Sequence, residues 1–189
     1  MNKKKLRLPD VTLVMFENME HELARLAVQD CFDVADFGDA LILTDKPECF
    51  PFKDCRFPKV SWSGKMGWAR SVWFDLPPLV HTSHMLLLQW DAWIWDASKW
   101  QDRFLGFDLI GSPWWYTDGK NVGNTGFALK TTALARYIRD HREKFPCNTG
   151  TEDDLLCRTY RPELERLGFT WAPEKLAHEF ARECSPPTA

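Results

Sequence analysis

Two groups of carboxylates stand where chemistry is easiest to place. One closes an apolar run, His84-Met-Leu-Leu-Leu-Gln-Trp-Asp91, which continues as Ala92-Trp-Ile-Trp-Asp96. Residues 85 to 88 are bulky and apolar, which predicts a strand buried on both faces. Open α/β sheets bind ligands just outside the carboxyl ends of their strands, so Asp91 occupies a binding position. The second group, Glu152-Asp153-Asp154, opens a predicted helix. Two separated acidic sites with a Trp-rich stretch between them suit a polar, ring-shaped, phosphate-bearing substrate.

Each stretch has a functional and a structural reading. Asp91 either holds a hard cation or caps the following turn; Mg2+ needs only one or two protein carboxylates and takes water and substrate phosphates besides. Its neighbours Trp90, Trp93 and Trp95 favour the first reading, because a carboxylate among rings is costly without a partner. In the second group, a carboxylate can take the proton of a hydroxyl nucleophile in the transition state. The same acids suit the first turn of a helix, where they complement the macrodipole. Thr149-x-x-Glu152 and Thr151-x-x-Asp154 both have capping-box spacing, and one acid can cap while another faces a cleft. The belt Trp90, Trp93, Trp95, Trp100, Trp114, Trp115 and Tyr116 offers stacking faces for sugars. Most of these rings are expected in the core, with Trp114 and Trp115, on a loop, reaching a site. In Val122-Gly-Asn-Thr-Gly-Phe127, glycines at Gly123 and Gly126 either admit a ligand close to the strand or mark a bulge. No phosphate-binding P-loop motif occurs. His81-x-x-His84 and His178 read as structural.

The elements that must position these residues follow from periodicity. Val11 to Phe16 predicts a first strand, and Asn18 can cap a helix carrying Leu23, Leu26, Ala27 and Val28 to about Cys31. Ala40 to Leu43 predicts a second strand. This β-α-β order predicts parallel strands joined by a right-handed crossover. Residues 45 to 58 carry three prolines and read as loop. Residues 59 to 80 show no clean period. A short helix is expected over 97–104 and a strand over 108–111. Loop follows over 112–121, then a glycine-interrupted strand over 122–129. Thr131 or Thr132 can cap a helix with Leu134, Ala135 and Ile138 inward. Residues 152 to 160 are expected to be helical with Pro162 ending or kinking them, 169–172 a late strand, and 174–182 a terminal helix.

The chain has 189 residues, enough for one domain. A chain of this size buries roughly 70% of its unfolded surface and needs no disulfide or metal staple. A net charge of −3 argues against a general polyanion binder. The exception is the run Lys3-Lys-Lys5, which is expected to be a solvated terminus. Six cysteines, Cys31, Cys49, Cys55, Cys147, Cys157 and Cys184, form no C-x-x-C pair. The thiols read as reduced, with Cys49 and Cys55 near enough in sequence to pair if oxidised. With no signal peptide and no apolar stretch near the ~20 residues of a membrane span, the expected compartment is cytoplasmic.

Taken in order, Val11-Thr-Leu-Val-Met-Phe-Glu17, Leu41-Ile-Leu-Thr-Asp45, Leu88-Gln-Trp-Asp91-Ala-Trp93, Phe107-Asp-Leu-Ile-Gly-Ser-Pro-Trp-Trp115, Val122 to Leu129 and Glu152-Asp-Asp154 resemble glycosyltransferase-like domains of the GT-A type. The pieces span nearly the whole chain. The resemblance implies a single compact α/β domain, Rossmann-like, in three α/β/α layers with a mainly parallel sheet. It implies a basic flexible terminus over 1–10, a domain over 11–184 and a tail over 185–189. Within the domain, 11–95 would bind the donor nucleotide and 96–184 the acceptor. Asp91 matches the second acid of the D-x-D metal pattern, and Gln89 stands in place of the first. Residues 123–127 and 152–154 resemble the GNGGF and GEDD stretches, with Thr125 and Thr151 in place of glycines.

The leading expectation is therefore transfer of a sugar from a nucleotide-sugar, a UDP-sugar by guess, to a carbohydrate or other hydroxyl acceptor. Asp91 would hold Mg2+ or Mn2+ on the donor diphosphate, and Glu17, Asn18, Asp45 and Gln89 would touch the donor. Asp153 would act as base with inversion, with Glu152 and Asp154 beside it in the catalytic cluster. Trp114, Trp115, Gly123, Asn124 and Gly126 would meet the acceptor. Nucleic acid enters only as a modified-base acceptor. Two other classes use the same residues: a metal-dependent phosphohydrolase, which needs two metals about 3.5–4 Å apart, and a non-catalytic sugar- or nucleotide-sugar-binding module.

Overall fold

The structure is a computed structural model that describes residues 4–59, 64–147 and 151–182. Lys3, Thr149, Cys184 and the tail 185–189 lie outside the described residues. Five strands form one open sheet in the order β2-β1-β3-β5-β4. They are β1 (Leu6–Phe16), β2 (Ala35–Leu43), β3 (His84–Leu88), β4 (Leu109–Pro113) and β5 (Val122–Thr131). Strand β1 starts within the stretch expected to be a flexible terminus, because Leu6, Arg7 and Leu8 pair with Ala35, Asp36 and Phe37. Helix α1 (His21–Val34) is the crossover between β1 and β2, which pair in parallel as the β-α-β order predicts.

The sheet is mixed rather than mainly parallel in its pairings. β1 runs parallel to β2 and β3, whereas β5 runs antiparallel to both β3 and β4. The cause is the link between β4 and β5. It is a loop, residues 114–121, without the helix that a parallel return needs, so β5 must reverse beside β4. A bulge separates the pair Gly111–Ala128 from Ser112–Asn124.

Alternate strand residues feed two cores. Leu13, Met15, Leu86 and Leu88 face α1 and α6 (Glu174–Phe180). Val14, Phe16, Met85 and Leu87 face the other layer. That layer holds α2 (Gly64–Arg70) with its π-helical continuation, α3 (Thr132–Asp140) and α5 (Arg161–Arg166). The expected three layers are present, and β3 is buried at every position. The Thr131 hydroxyl caps α3 by accepting the Leu134 N–H at 3.2 Å. Other elements differ from expectation. Residues 97–106 form two 3-10 turns, with Trp100 edge-on to Phe104. The late strand shrinks to one bridge between Leu109 and Trp171. Pro162 opens α5 rather than ending a helix, as suits a residue with no N–H to lose in the first turn. Among the described residues, no helix is long and apolar enough to cross a membrane.

Candidate active site

The chain leaves β1 for β2 on one side and reaches β3 on the other, so the order of the sheet reverses between β1 and β3. A crevice opens outside the carboxyl ends of strands at such a switch point. Phe16 pairs with Leu43 and Met15 with Leu88 in register. Glu17, Asp45 and Gln89 therefore leave the sheet at one end. Glu17 is turned to local work: its buried carboxylate accepts N–H groups of Asn18, Met19 and Glu20 at 2.9, 2.6 and 3.0 Å, closing the turn that leads into α1. The N-terminus of α1 has no side-chain cap, and Asn18, expected to supply one, is exposed. Asp45 binds the His21 ring at 2.7 Å, and that hydrogen bond holds its pKa below the usual value. The Gln89 N–H donates to the Gly126 carbonyl at 3.0 Å, and its amide side chain lies beside Gly126. Asp91 follows on an exposed turn closed by Ala92 N–H donating to the Gln89 carbonyl at 3.1 Å.

Because β5 runs backwards, its first half lies at this same end. A Cβ on Gly126 would come within 3.2 Å of both the Gln89 and Asn124 side-chain oxygens. The Asn124 carboxamide accepts the Gly126 N–H at 2.8 Å, closing the bulge. Next to it, the Thr125 hydroxyl donates to Glu152 at the start of α4 (Glu152–Asp154), which runs on as a π-helical turn over Leu155–Thr159. The end of β3 and the start of α4 thus meet neighbouring residues of one strand. Gly123 serves packing instead of a ligand, since a Cβ there would lie 2.2 Å from Cys157 Cβ and 3.1 Å from Trp114.

The three acids have separate environments. Glu152 is buried, and burial raises its pKa to about 7, helped by Asp153 and opposed by the Thr125 hydroxyl and Lys130. Lys130, on β5, is buried too; desolvation lowers its pKa and Glu152 opposes this. Burial likewise pushes Cys147 up to about 11 and Cys157 well above the usual thiol range. Asp154 is exposed, accepts from the Thr151 hydroxyl at 3.2 Å and faces Arg158 at 4.0 Å. Asp153, half-buried, accepts the N–H of Asp154 at 2.9 Å. It is the acid of the three whose carboxylate is least committed to the protein.

The β4–β5 loop is fastened to this helix. The Arg158 guanidinium stacks 3.8 Å from the Tyr116 ring centroid and pairs with Asp118 at 2.7 Å. Trp114 packs against the core edge while Trp115 is exposed. Most of the belt is not in the core, contrary to expectation: Trp90, Trp93, Trp95 and Trp115 are all exposed. Sequence reading also missed Lys130 and Arg158, and gave Thr125 no part beyond replacing a glycine. Lys130 carried a visible signal, a lysine within the apolar run Phe127-Ala-Leu-Lys130. Among the described residues, no three His, Cys, Asp or Glu side chains gather into a metal-holding cluster. Asp91 and Gln89 would offer oxygen ligands of the kind Mg2+ takes together with substrate phosphates.

Residues 52–189 match the family described as "Protein of unknown function (DUF5672)", and the chain belongs to it. No curated protein matches the sequence. Among solved structures, the glycosyltransferase GlyE of Streptococcus pneumoniae TIGR4 is similar with a TM-score of 0.55 at 13% identity, over 92% of this chain and 46% of that one. The bifunctional IspDF of Campylobacter jejuni gives 0.54 at 8%, over 86% and 48%. The 4-diphosphocytidyl-2C-methyl-D-erythritol synthase of Anaerococcus prevotii DSM 20548 gives 0.52 at 7%, over 96% and 93%. The chain spans about half the length of the first two. The chain shares its fold with these three proteins.

Proposed function

We propose that the chain is a glycosyltransferase that moves a sugar from a nucleotide-sugar to an acceptor hydroxyl. What supports this is one juxtaposition: the Gln89–Asp91 turn and the Glu152–Asp154 helix both meet the first half of β5, at the carboxyl end of β3. Asp91, with Gln89, would hold Mg2+ or Mn2+, which when bound would supply charge neutralisation to a nucleoside diphosphate leaving group. Asp153 takes the proton of the acceptor hydroxyl as its oxygen attacks the anomeric carbon. The bond to the diphosphate breaks on the opposite face, so configuration inverts. Glu152, tied to Thr125, fixes the helix that carries Asp153. Asn124 and Trp115 border the acceptor side, and Asn18 is free to meet the nucleotide.

The test screens nucleoside diphosphates and their sugars by thermal shift, with and without Mn2+, then follows nucleotide release. A donor near 100 times its dissociation constant stabilises the fold by about 2.7 kcal/mol. Asp153→Asn is expected to keep donor binding and lose about 10²–10⁴-fold in turnover. If no donor binds, the transferase reading fails. A non-catalytic binding module predicts donor binding without turnover in the native chain. The full-length match to the Anaerococcus synthase favours a second reading, nucleotidyl transfer. Its product is pyrophosphate rather than a nucleoside diphosphate, so the released species separates the two.

A further inference from the structure

One cleft among the described residues does not lie between the two acidic turns. It has a volume of about 710 Å³ and begins at Asp91, then runs along the 92–101 loop to the end of α6. Its floor is a cluster of rings. Trp100 meets Phe104 at 5.6 Å and Phe180 at 6.5 Å between centroids, and Phe180 lies 5.3 Å from Phe127. Its wall follows from one buried residue. Ile94 inserts into the core, and its N–H donates to the Cys31 sulfur at 3.3 Å. With Ile94 turned inward, Trp93 and Trp95 on either side are turned out, 45% and 83% exposed. The rim is polar: Gln101 donates to Glu179 at 2.9 Å, and Arg103 pairs with Glu179 at 2.6 Å.

Exposed indoles beside a concave apolar floor mark a binding site rather than a core. The volume falls within the roughly 300–1,000 Å³ of small-ligand sites and is concave, unlike a flat protein interface. The rim mixes Asp91, Asp96 and Glu179 with Lys99 and Arg182, so it lacks the basic cluster that anionic lipid selects. Flat rings interleaved with amide, carboxylate and guanidinium groups fit a ligand with C–H faces and hydroxyl edges.

We infer that this cleft binds an oligosaccharide, with Trp93 and Trp95 stacking on successive sugar rings and Gln101 and Glu179 bonding their hydroxyls. Two outward indoles give two stacking faces, so a chain of sugars binds better than a single one. Because the cleft starts at Asp91, its ligand reaches the carboxyl end of β3. There it serves as the acceptor; that role rests on the transferase reading, whereas the binding does not.

The experiment titrates the full chain, without nucleotide, against neutral trisaccharides of glucose, galactose, mannose and N-acetylglucosamine, read by tryptophan fluorescence and calorimetry. At least one is expected to bind, more tightly than its monosaccharide. Trp95→Ala and Trp93→Ala each weaken it tenfold or more, and Trp95→Phe retains part. Trp95 is exposed enough that its loss leaves Tm unchanged, which controls for unfolding. The inference is overturned if no trisaccharide binds or if the alanine variants bind as well as the native chain. It is equally overturned if the variants lose self-association or binding to phosphatidylserine vesicles instead. Donor binding with Mn2+ is measured on the same variants and is expected to be unchanged. Donor failure with glycan binding intact removes the acceptor role and leaves the cleft; the reverse removes the cleft and leaves the transferase.

Discussion

Glu152 and Lys130 are the two residues whose burial is hardest to explain by packing alone, and they explain each other. Each is desolvated, each opposes the other's shift, and neither belongs in an apolar layer unless the charge of the other offsets part of the cost. The folded pKa of Glu152, about 7, lies above the ordinary 4.5, so the folded chain binds this proton more tightly than the unfolded one. The stability this supplies is complete below about pH 4.5 and is lost as pH rises through about 7. Glu152→Gln keeps the shape and cannot ionise. Its Tm relative to the native chain is therefore expected to climb between pH 4.5 and 7.5 in thermal unfolding followed by circular dichroism. Lys130→Met removes the cation that holds Glu152 down, so the upper edge of that window moves above 7. A difference that is flat or falls with pH would mean that Glu152 is ionised throughout in the folded chain. Asp153, by contrast, is half-buried at the start of its helix, which suits a base that must meet solvent and substrate.

At the level of elements, β5 organises the site through its glycines, and they do different things. Gly123→Ala puts a Cβ against Cys157, on the π-helical turn that continues α4, where neither backbone can yield. The expected cost is about 1–3 kcal/mol, read as a lower urea midpoint with an unchanged slope. Gly126→Ala meets only the ends of the Gln89 and Asn124 side chains. It is expected to cost less stability while displacing the amide beside Asp91, so donor affinity falls further than the midpoint does. The opposite ranking would move the ligand to Gly123. Strands β1 to β3, the α1 crossover and the Thr131 cap were legible because periodicity and caps are local signals. The direction of β5 was not written in its composition, yet the short 114–121 link implied an antiparallel return. Trp93 and Trp95 were misassigned because an indole reads the same in a core and on a cleft wall; only the inward turn of Ile94 separates them. The Thr125–Glu152 bond joins residues far apart in sequence, and no local pattern encodes it.

Across the whole molecule, residues 11–95, expected to bind the donor, and 96–184, expected to bind the acceptor, share one sheet. The first half supplies β1, β2 and β3, the second β4 and β5, and the sheet is continuous through the β3–β5 pairing. Both cores draw on both halves: Leu86 and Leu88 share one with Leu129 and Leu176, and Met85 and Leu87 share the other with Leu134 and Ile138. Cut at the boundary, β3 would become an edge strand of five buried positions, four of them apolar (Met85 to Leu88), with its β5-facing ladder open. The native chain should accordingly unfold in urea as one cooperative unit, with tryptophan fluorescence and far-UV circular dichroism tracing the same midpoint. Residues 1–95 expressed alone should be aggregated or lack a cooperative transition. Two separated midpoints, or a fragment that unfolds cooperatively by itself, would show that the donor half carries its own core. The pairing of β3 with β5 would then be an added contact and not the seam on which the site depends.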